Sequence, residues 1–347
     1  MTKNYFKDKV IGLWNEGKRM VAPLVGFPGL NITNSTIKIA QQNYDEHFKV
    51  IKAIADSFEP DIIFPLMDLS VEANALGRYT IFPITNSPTV VRDNFSMSDL
   101  DRGKQINVSY DMRLLGYVET LKMMSVGLSD SIIKGAYVTG PFSLAALIMG
   151  ADDAVMATIS QRNDLHKLCQ LATEKIQEYI RLLIAAGAQV ICILEPSSVM
   201  LGPEQFSEFS ANYIKYIVEC CQCNGIPIIY HICGNAMHLV DKMVEAGVDA
   251  LSLDSPNAGI DLPAVAKKLT SEVVIIGNID PTGTILHGSP DNVKAEVNNL
   301  LNRMESYPNF ILSTGCDLPQ ETPLENIRAF MQAGRQYRKN QLISYGT

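Results

Sequence analysis

Short apolar runs alternate along this chain with longer stretches whose apolar residues recur every three or four positions. Eight such runs stand out: Ala22–Gly26, Asp61–Pro65, Gly135–Thr139, Gln189–Leu194, Pro227–His231, Asp249–Leu253, Val273–Gly277 and Phe310–Thr314. Segments such as VICIL, IPIIY and VVIIG have no polar interruption, which suits parallel strands covered on both faces. Between Pro203 and Cys223, the residues Phe206, Phe209, Tyr213, Ile214, Ile217 and Val218 fall on one stripe and predict a helix. Thr322-Pro323-Leu324-Glu325 reads as a capping box with proline at the first helical position, opening a final helix that ends near Tyr337. Ser289-Pro290 opens another helix in the same way, and residues 1–20 are expected to form a helical extension at the amino end. Strand–helix alternation repeated eight times predicts a single (β/α)8 TIM barrel domain over residues 1–347. A doubly wound open sheet is the competing architecture, but no G-x-G-x-x-G follows the first strand. The stretch from Leu66 to Gly135 exceeds a simple crossover and predicts extra helices or a lid between strands two and three.

Composition narrows the function classes. The 347 residues carry 29 basic and 37 acidic side chains, a net charge of −8, which repels phosphate backbones and argues against nucleic-acid partners. No apolar run approaches the ~20 residues of a membrane span, and the first twenty residues lack a signal-peptide pattern. Seven cysteines without such a signal predict a reducing cytoplasm, where cysteines are core residues, nucleophiles or metal ligands.

In a barrel of this kind the active site lies at the carboxyl ends of the strands. Asp68 follows strand two, Glu195 strand four, Asp254 strand six, Asn278 and Asp280 strand seven, and Cys316 strand eight. His231-Ile232-Cys233 ends strand five, and residues two apart on a strand point the same way, so His231 and Cys233 can address one point. Cys316 would approach from strand eight. One imidazole and two thiolates suit Zn²⁺, and three protein ligands leave a coordination position free for substrate. The competing interpretation is that the cysteines serve as small buried apolar residues. Glu195 and Asp254 are candidate fourth ligands, or carboxylates that shape loops. Asp68, Asn235 and Asn278 are candidate substrate contacts. Cys169, Cys192, Cys221 and Cys223 are assigned to structure, and His47, His166 and His238 to solvated or capping positions in helical stretches. His287 is placed in a loop after strand seven, and Met149, Met200 and Met237 in packing.

Several phrases together resemble the uroporphyrinogen decarboxylase superfamily: Gly140-Pro141-Phe142-Ser143, Leu194-Glu195-Pro196-Ser197-Ser198, His231-Ile232-Cys233-Gly234-Asn235, Ser252-Leu253-Asp254, Gly277-Asn278-Ile279-Asp280-Pro281 and Gly315-Cys316-Asp317-Leu318-Pro319. The resemblance runs from about Pro23 to Gln336 and implies a (β/α)8 barrel. The decarboxylase branch carries an arginine-rich loop after strand one to hold substrate carboxylates. Here that loop is Gly26-Phe27-Pro28-Gly29-Leu30-Asn31, without arginine, although Asp68 matches the decarboxylase's catalytic aspartate. The corrinoid-dependent methyltransferase branch, such as methylcobamide:coenzyme M methyltransferase, is marked by H-x-C and a distant C that bind zinc, and His231, Cys233 and Cys316 match that mark.

By that resemblance the chain is expected to move a methyl group from a methylcorrinoid to a thiol such as coenzyme M. The corrinoid is expected on a separate corrinoid protein, because the D-x-H-x-x-G of a cobalamin module is absent. Part of the funnel rim is expected around Leu66–Gly103, and Arg78 is a candidate for an acidic acceptor's charge. Tetrahydrofolate as acceptor, a decarboxylase of a porphyrin-like acid, and a non-catalytic scaffold are the alternatives.

Overall fold

The computed structural model describes residues 5–92, 96–269 and 271–339. Eight parallel strands form the core: β1 Met20–Val21, β2 Ile62–Ile63, β3 Ile133–Thr139, β4 Val190–Leu194, β5 Ile228–Ile232, β6 Ala250–Leu253, β7 Val274–Ile279 and β8 Phe310–Thr314. Each strand from β3 to β7 pairs with its successor, β8 pairs with β1, and β2 pairs with β3. The remaining seam, between β1 and β2, is closed by the Asp61 amide donating to the Val21 carbonyl at 3.0 Å. The Asp61 carboxylate accepts from the Val21 amide at 2.6 Å. Strand and helix therefore alternate around a (β/α)8 barrel, as the apolar runs predict.

Two apolar clusters follow from this topology. One lies between the strands and the surrounding helices. The other fills the barrel axis with Met20, Ile62, Phe64, Val190, Cys192, Leu194, Ile229 and Ile276 among others. The helix Tyr5–Asn15 adds Phe6 and Val10 to the axial cluster, so the expected amino-terminal helix plugs the foot of the barrel. Residues 1–4 lie outside the described residues.

Local differences from the sequence pattern have local causes. The first strand is Met20–Val21 rather than Ala22–Gly26. Pro23 has no amide hydrogen, and the Leu24 amide turns to the Thr314 hydroxyl at 3.0 Å, so the ladder stops. The final helix is Leu324–Gln336, and the expected capping box does not form, because Pro323 occupies the cap and Thr322 is buried without a bond to the helix. Ser289 does form a reciprocal capping box, with Asn292. The predicted helix over Pro203–Cys223 contains a π-helical turn at Ser207–Ala211.

Between β2 and β3 the chain carries extra elements: the helices Val71–Ala75, Met97–Gln105 and Met112–Gly127, and a two-residue antiparallel pairing of Thr80–Ile81 with Thr89–Val90. Among the described residues no single helix is long and apolar enough to cross a membrane.

Candidate metal centre

β5 is buried along its whole length and ends at Ile232. His231 and Cys233 flank that last residue, and the side chains of both reach one point. Nε2 of His231 lies 3.1 Å from Sγ of Cys233. Cys316, two residues beyond β8, completes a triangle. Its sulfur is 3.4 Å from that of Cys233 and 3.8 Å from Nε2 of His231. The edges of a tetrahedral zinc site with sulfur and imidazole ligands measure about 3.5–3.8 Å, from Zn–S near 2.3 Å and Zn–N near 2.1 Å. The three residues thus fit a single zinc ion with small adjustments.

The surroundings orient these ligands. His231 and Ser252 are Cα partners across β5 and β6, and the Ser252 hydroxyl lies 3.0 Å from Nδ1 of His231. In the tautomer whose Nδ1–H donates to this hydroxyl, Nε2 presents a lone pair to the cysteines. Gly315 brings Cys316 in close, because a Cβ there would meet the Ser255 amide nitrogen at 2.5 Å and the Asp254 carbonyl carbon at 2.9 Å. The contact with Cys233 and burial push the Cys316 thiol well above its ordinary value, against the pull of His231. A divalent cation between the sulfurs would reverse that balance by favouring thiolate.

The candidate fourth ligands are engaged elsewhere. Glu195 is fully buried after β4, and its carboxylate accepts from the Ser143 amide at 2.6 Å. Burial pushes it up to about 8. Asp254 accepts from the Gly234 amide at 2.7 Å and from the Ser255 amide at 2.6 Å, tying the loop after β5 to the loop after β6. Among the described residues neither joins the cluster of His231, Cys233 and Cys316.

The candidate substrate contacts divide. Asn235 is exposed, and its side chain accepts from the Met237 amide within its own turn at 3.3 Å. Asn278 is buried at the end of β7 and donates to the Asp254 carbonyl at 2.8 Å, so it holds a loop. Asp68 is buried and fully engaged. One carboxylate oxygen accepts from the Ser70 amide and hydroxyl, and the other from Arg113 and from the Tyr117 hydroxyl at 3.1 Å. Arg78 is buried rather than solvated and donates to the Ile148 carbonyl at 2.5 Å. Asp280 accepts from the Thr282 amide and hydroxyl and from Asn257.

The remaining assignments separate by burial. His47 is buried rather than solvated, and its Nε2 accepts from the Leu66 amide at 2.7 Å. His166 is half-buried between Glu208 and Tyr213, and His238 reaches the Leu201 carbonyl at 3.0 Å. His287 ends a short helix, Thr284–His287, where a loop was expected. Met149 is buried, whereas Met200 is exposed and does not serve as packing. Cys169, Cys192 and Cys221 are buried, whereas Cys223 is exposed.

Two residues near the mouth, Arg113 and Tyr137, carry no sequence signal of their own, and Ser252 is marked only as part of the phrase Ser252-Leu253-Asp254. Tyr137, on β3, stacks on Phe64 with ring centroids 4.5 Å apart and borders the upper end of the axial cluster. The register of β5 against β6, seen in the structure, is what sets Ser252 beside His231.

Comparison with known proteins agrees with this architecture. The structure of a methyltransferase from Methanosarcina mazei superposes with a TM-score of 0.81, covering 94% of this chain and 97% of that one at 20% identity. The uroporphyrinogen decarboxylase of Prochlorococcus marinus (strain NATL2A) is 27% identical over 315 residues, which is 87% of this chain and 85% of that protein. That of Synechococcus sp. (strain CC9605) is 26% identical over 302 residues, covering 85% of this chain and 83% of that protein. The family model for uroporphyrinogen decarboxylase (URO-D) matches residues 30–337. A match that takes in every strand from β2 to β8 and all three residues of the His–Cys–Cys triangle makes this chain a member of the uroporphyrinogen decarboxylase family.

Proposed function

We propose that this protein is a zinc-dependent methyltransferase that transfers a methyl group from a methylated corrinoid, borne by a partner corrinoid protein, to a small thiol such as coenzyme M. The observation that carries the proposal is the triangle of His231 Nε2, Cys233 Sγ and Cys316 Sγ, with edges of 3.1, 3.4 and 3.8 Å. The similar fold of a Methanosarcina protein described as a methyltransferase supports it. Zinc held by these residues would make a bound thiol a thiolate at neutral pH, where a free thiol with a pKa near ~8.5 is mostly protonated.

The chain's own residues do the rest. Ser252 fixes the tautomer and plane of His231. The axial cluster beneath, including Cys192 and Leu194, keeps water from approaching from below. Gly315 and the Asp254 bonds hold the loops that set the Cys233–Cys316 separation. The transfer makes a sulfur–carbon bond and breaks the cobalt–carbon bond, whose electron pair stays on cobalt. A reducing cytoplasm, which would keep both cysteines as thiols, is the compartment this chemistry requires.

Decarboxylation of a porphyrinogen is the second reading, favoured by the names of the relatives. Against it, the loop Gly26–Asn31 has no arginine for substrate carboxylates, and Asp68 is held in an ion pair with Arg113. Zinc-loaded protein is mixed with free methylcobalamin and 2-mercaptoethanesulfonate, and the methyl-Co(III) spectrum is followed. Its decay is expected in wild type and mostly lost in Cys316→Ala with the fold intact. Unchanged decay in Cys316→Ala overturns the assignment, and turnover of uroporphyrinogen without metal selects the second reading.

A further inference from the structure

Large apolar side chains are exposed on one side of the barrel mouth. Ile39 lies after β1, Tyr79, Ile81, Ile84 and Met112 after β2, and Ile159 after β3, all of them half exposed or more, with Met112 reaching 80%. Each stands before, or begins, the helix that carries the chain back toward the next strand: Tyr44–Phe58, Met112–Gly127 or Arg162–Ala185. In a (β/α)8 barrel that position is the carboxyl end of the strands. Among the described residues no large apolar side chain beyond Tyr216 is exposed, so the loops after β5 to β8 present none. The metal ligands come from that second half, from β5 and β8.

Contacts between loops join these positions into one crescent. Thr80–Ile81 pairs antiparallel with Thr89–Val90, making a small strap after β2. The Lys38 amide donates to the Ile84 carbonyl at 3.4 Å, tying the loop after β1 to that strap. The Phe82 ring, between the paired segments, packs on the guanidinium of Arg113, 4.6 Å from its carbon to the ring centroid, next to Met112. Arg92 pairs with Asp153 at 2.8 Å, tying the far end of the strap to the helix Ala151–Ser160 that bears Ile159.

Area and charge define what covers such a face. At about 200 Å² for a fully exposed side chain of this size, the six offer on the order of 800 Å². One partner in a stable protein–protein interface contributes about 800 Å², and patches beyond 300–600 Å² are unusual on a monomer. Residues 79–91 include no charged side chain, and residues 22–43 include only Lys38, in a chain that is 19% charged. Anionic lipid or nucleic acid would require a basic cluster beside the apolar groups. A second copy of this chain seated there would stand over the mouth and shut out a corrinoid.

We propose that this crescent is the docking face for the protein that brings the methylated corrinoid. The donor then stands over the loops after β1 to β3 and reaches across the mouth to the ligands on β5 and β8. The partner's matching face is apolar and poor in charge, so the complex depends little on salt. The proposal rests on the methyl-transfer reading above.

Two rates test it on the zinc-loaded full chain, one with free methylcobalamin and one with the methylated cobalt-bearing protein purified from the same organism. The double variant Ile39→Glu, Ile159→Glu changes only exposed positions and is expected to keep the free-methylcobalamin rate within about twofold. With limiting protein-bound donor its rate is expected to fall at least about tenfold and to recover as the partner is raised. His287→Glu, exposed after β7, is expected to keep both rates. A protein-bound rate unchanged in the double variant, or equally lowered by His287→Glu, overturns the proposal and leaves methyl transfer standing. Failure of the wild type with both donors overturns the methyl-transfer reading instead. Docking is then read without turnover, by replacing Ile84 or His287 with p-benzoylphenylalanine and irradiating with the cobalt-bearing protein. A cobalt-containing adduct from position 84 and not from 287 is expected. Equal adducts from both, no adduct, or an adduct only with a second copy of this chain excludes the docking face.

Discussion

Ser252 and His231 face each other across neighbouring strands, with the serine hydroxyl 3.0 Å from Nδ1 of the imidazole. Among the described residues this hydrogen bond restrains the ring from outside the cysteine pair. Ser252→Ala is expected to leave the barrel intact and lower zinc affinity roughly 10- to 100-fold, the usual cost of losing a group that orients a ligand. Competition against a chelator of known affinity measures it. An affinity equal to wild type would mean that the hydroxyl does not orient the ring.

The cysteine pair makes a spectroscopic prediction independent of turnover. Cobalt(II) placed in the zinc-free protein is expected to give tetrahedral d–d bands and sulfur-to-metal charge transfer, as two thiolates and an imidazole require. Cys233→Ala and Cys316→Ala should each lose about half of the charge-transfer intensity, one of two sulfurs having gone. Bands of an octahedral ion, or intensity indifferent to both changes, would exclude shared coordination.

Gly315 tests how the third ligand is delivered. A methyl group at this position must push apart the loops after β6 and β8, since it would meet the Ser255 nitrogen at 2.5 Å. Gly315→Ala is expected to cost about 1–3 kcal/mol in denaturant unfolding, the range for overfilled interiors. It should weaken metal binding as well. A full-affinity, full-stability Gly315→Ala protein would show that the loops yield freely.

His47 gives the fold a pH dependence of definite sign. Burial pushes its pKa down to about 3 from an ordinary 6.5, because the ring is sealed and accepts from the Leu66 amide. The native state keeps it neutral while the unfolded chain takes up a proton below 6.5. Its contribution is therefore complete above pH 6.5 and is lost as pH falls toward 3. Burial pushes Glu72 up to about 7 and Glu195 up to about 8, which gives the opposite slope. Their contribution is complete below their ordinary 4.5 and fades as pH rises. The difference in unfolding free energy between wild type and His47→Gln isolates the histidine. That difference should shrink steadily between pH 7 and pH 4, and a constant difference would contradict the assignment.

The strands were legible because a parallel strand buried on both faces needs apolar residues at every position, as in Val190–Leu194 and Ile228–Ile232. β1 was misplaced because Ala22–Gly26 is as apolar as Met20–Val21, and only the missing amide of Pro23 distinguishes them. His231 and Cys233 were legible through the two-residue period of a strand, and Cys316 through its place after the last one. Arg113 was not, because a charged residue in the first turn of a helix reads as solvated. Its burial depends on Asp68, 45 positions earlier in the chain. The engagement of Glu195 and Asp254 was hidden for a related reason. Their partners are backbone amides, at Ser143 for the one and at Gly234 and Ser255 for the other, and backbone amides carry no residue signature.

The stopper formed by Phe6, Val10 and the axial side chains has a consequence for the order of events. Among the described residues that cluster closes the axis below the two sulfurs, so under the proposed methyl transfer donor and recipient would share the opening above. A bulky visitor standing there would bar a smaller one from passing. Under the proposed reaction the smaller molecule would therefore be seated first, and its methylated form would leave only after the larger one had withdrawn.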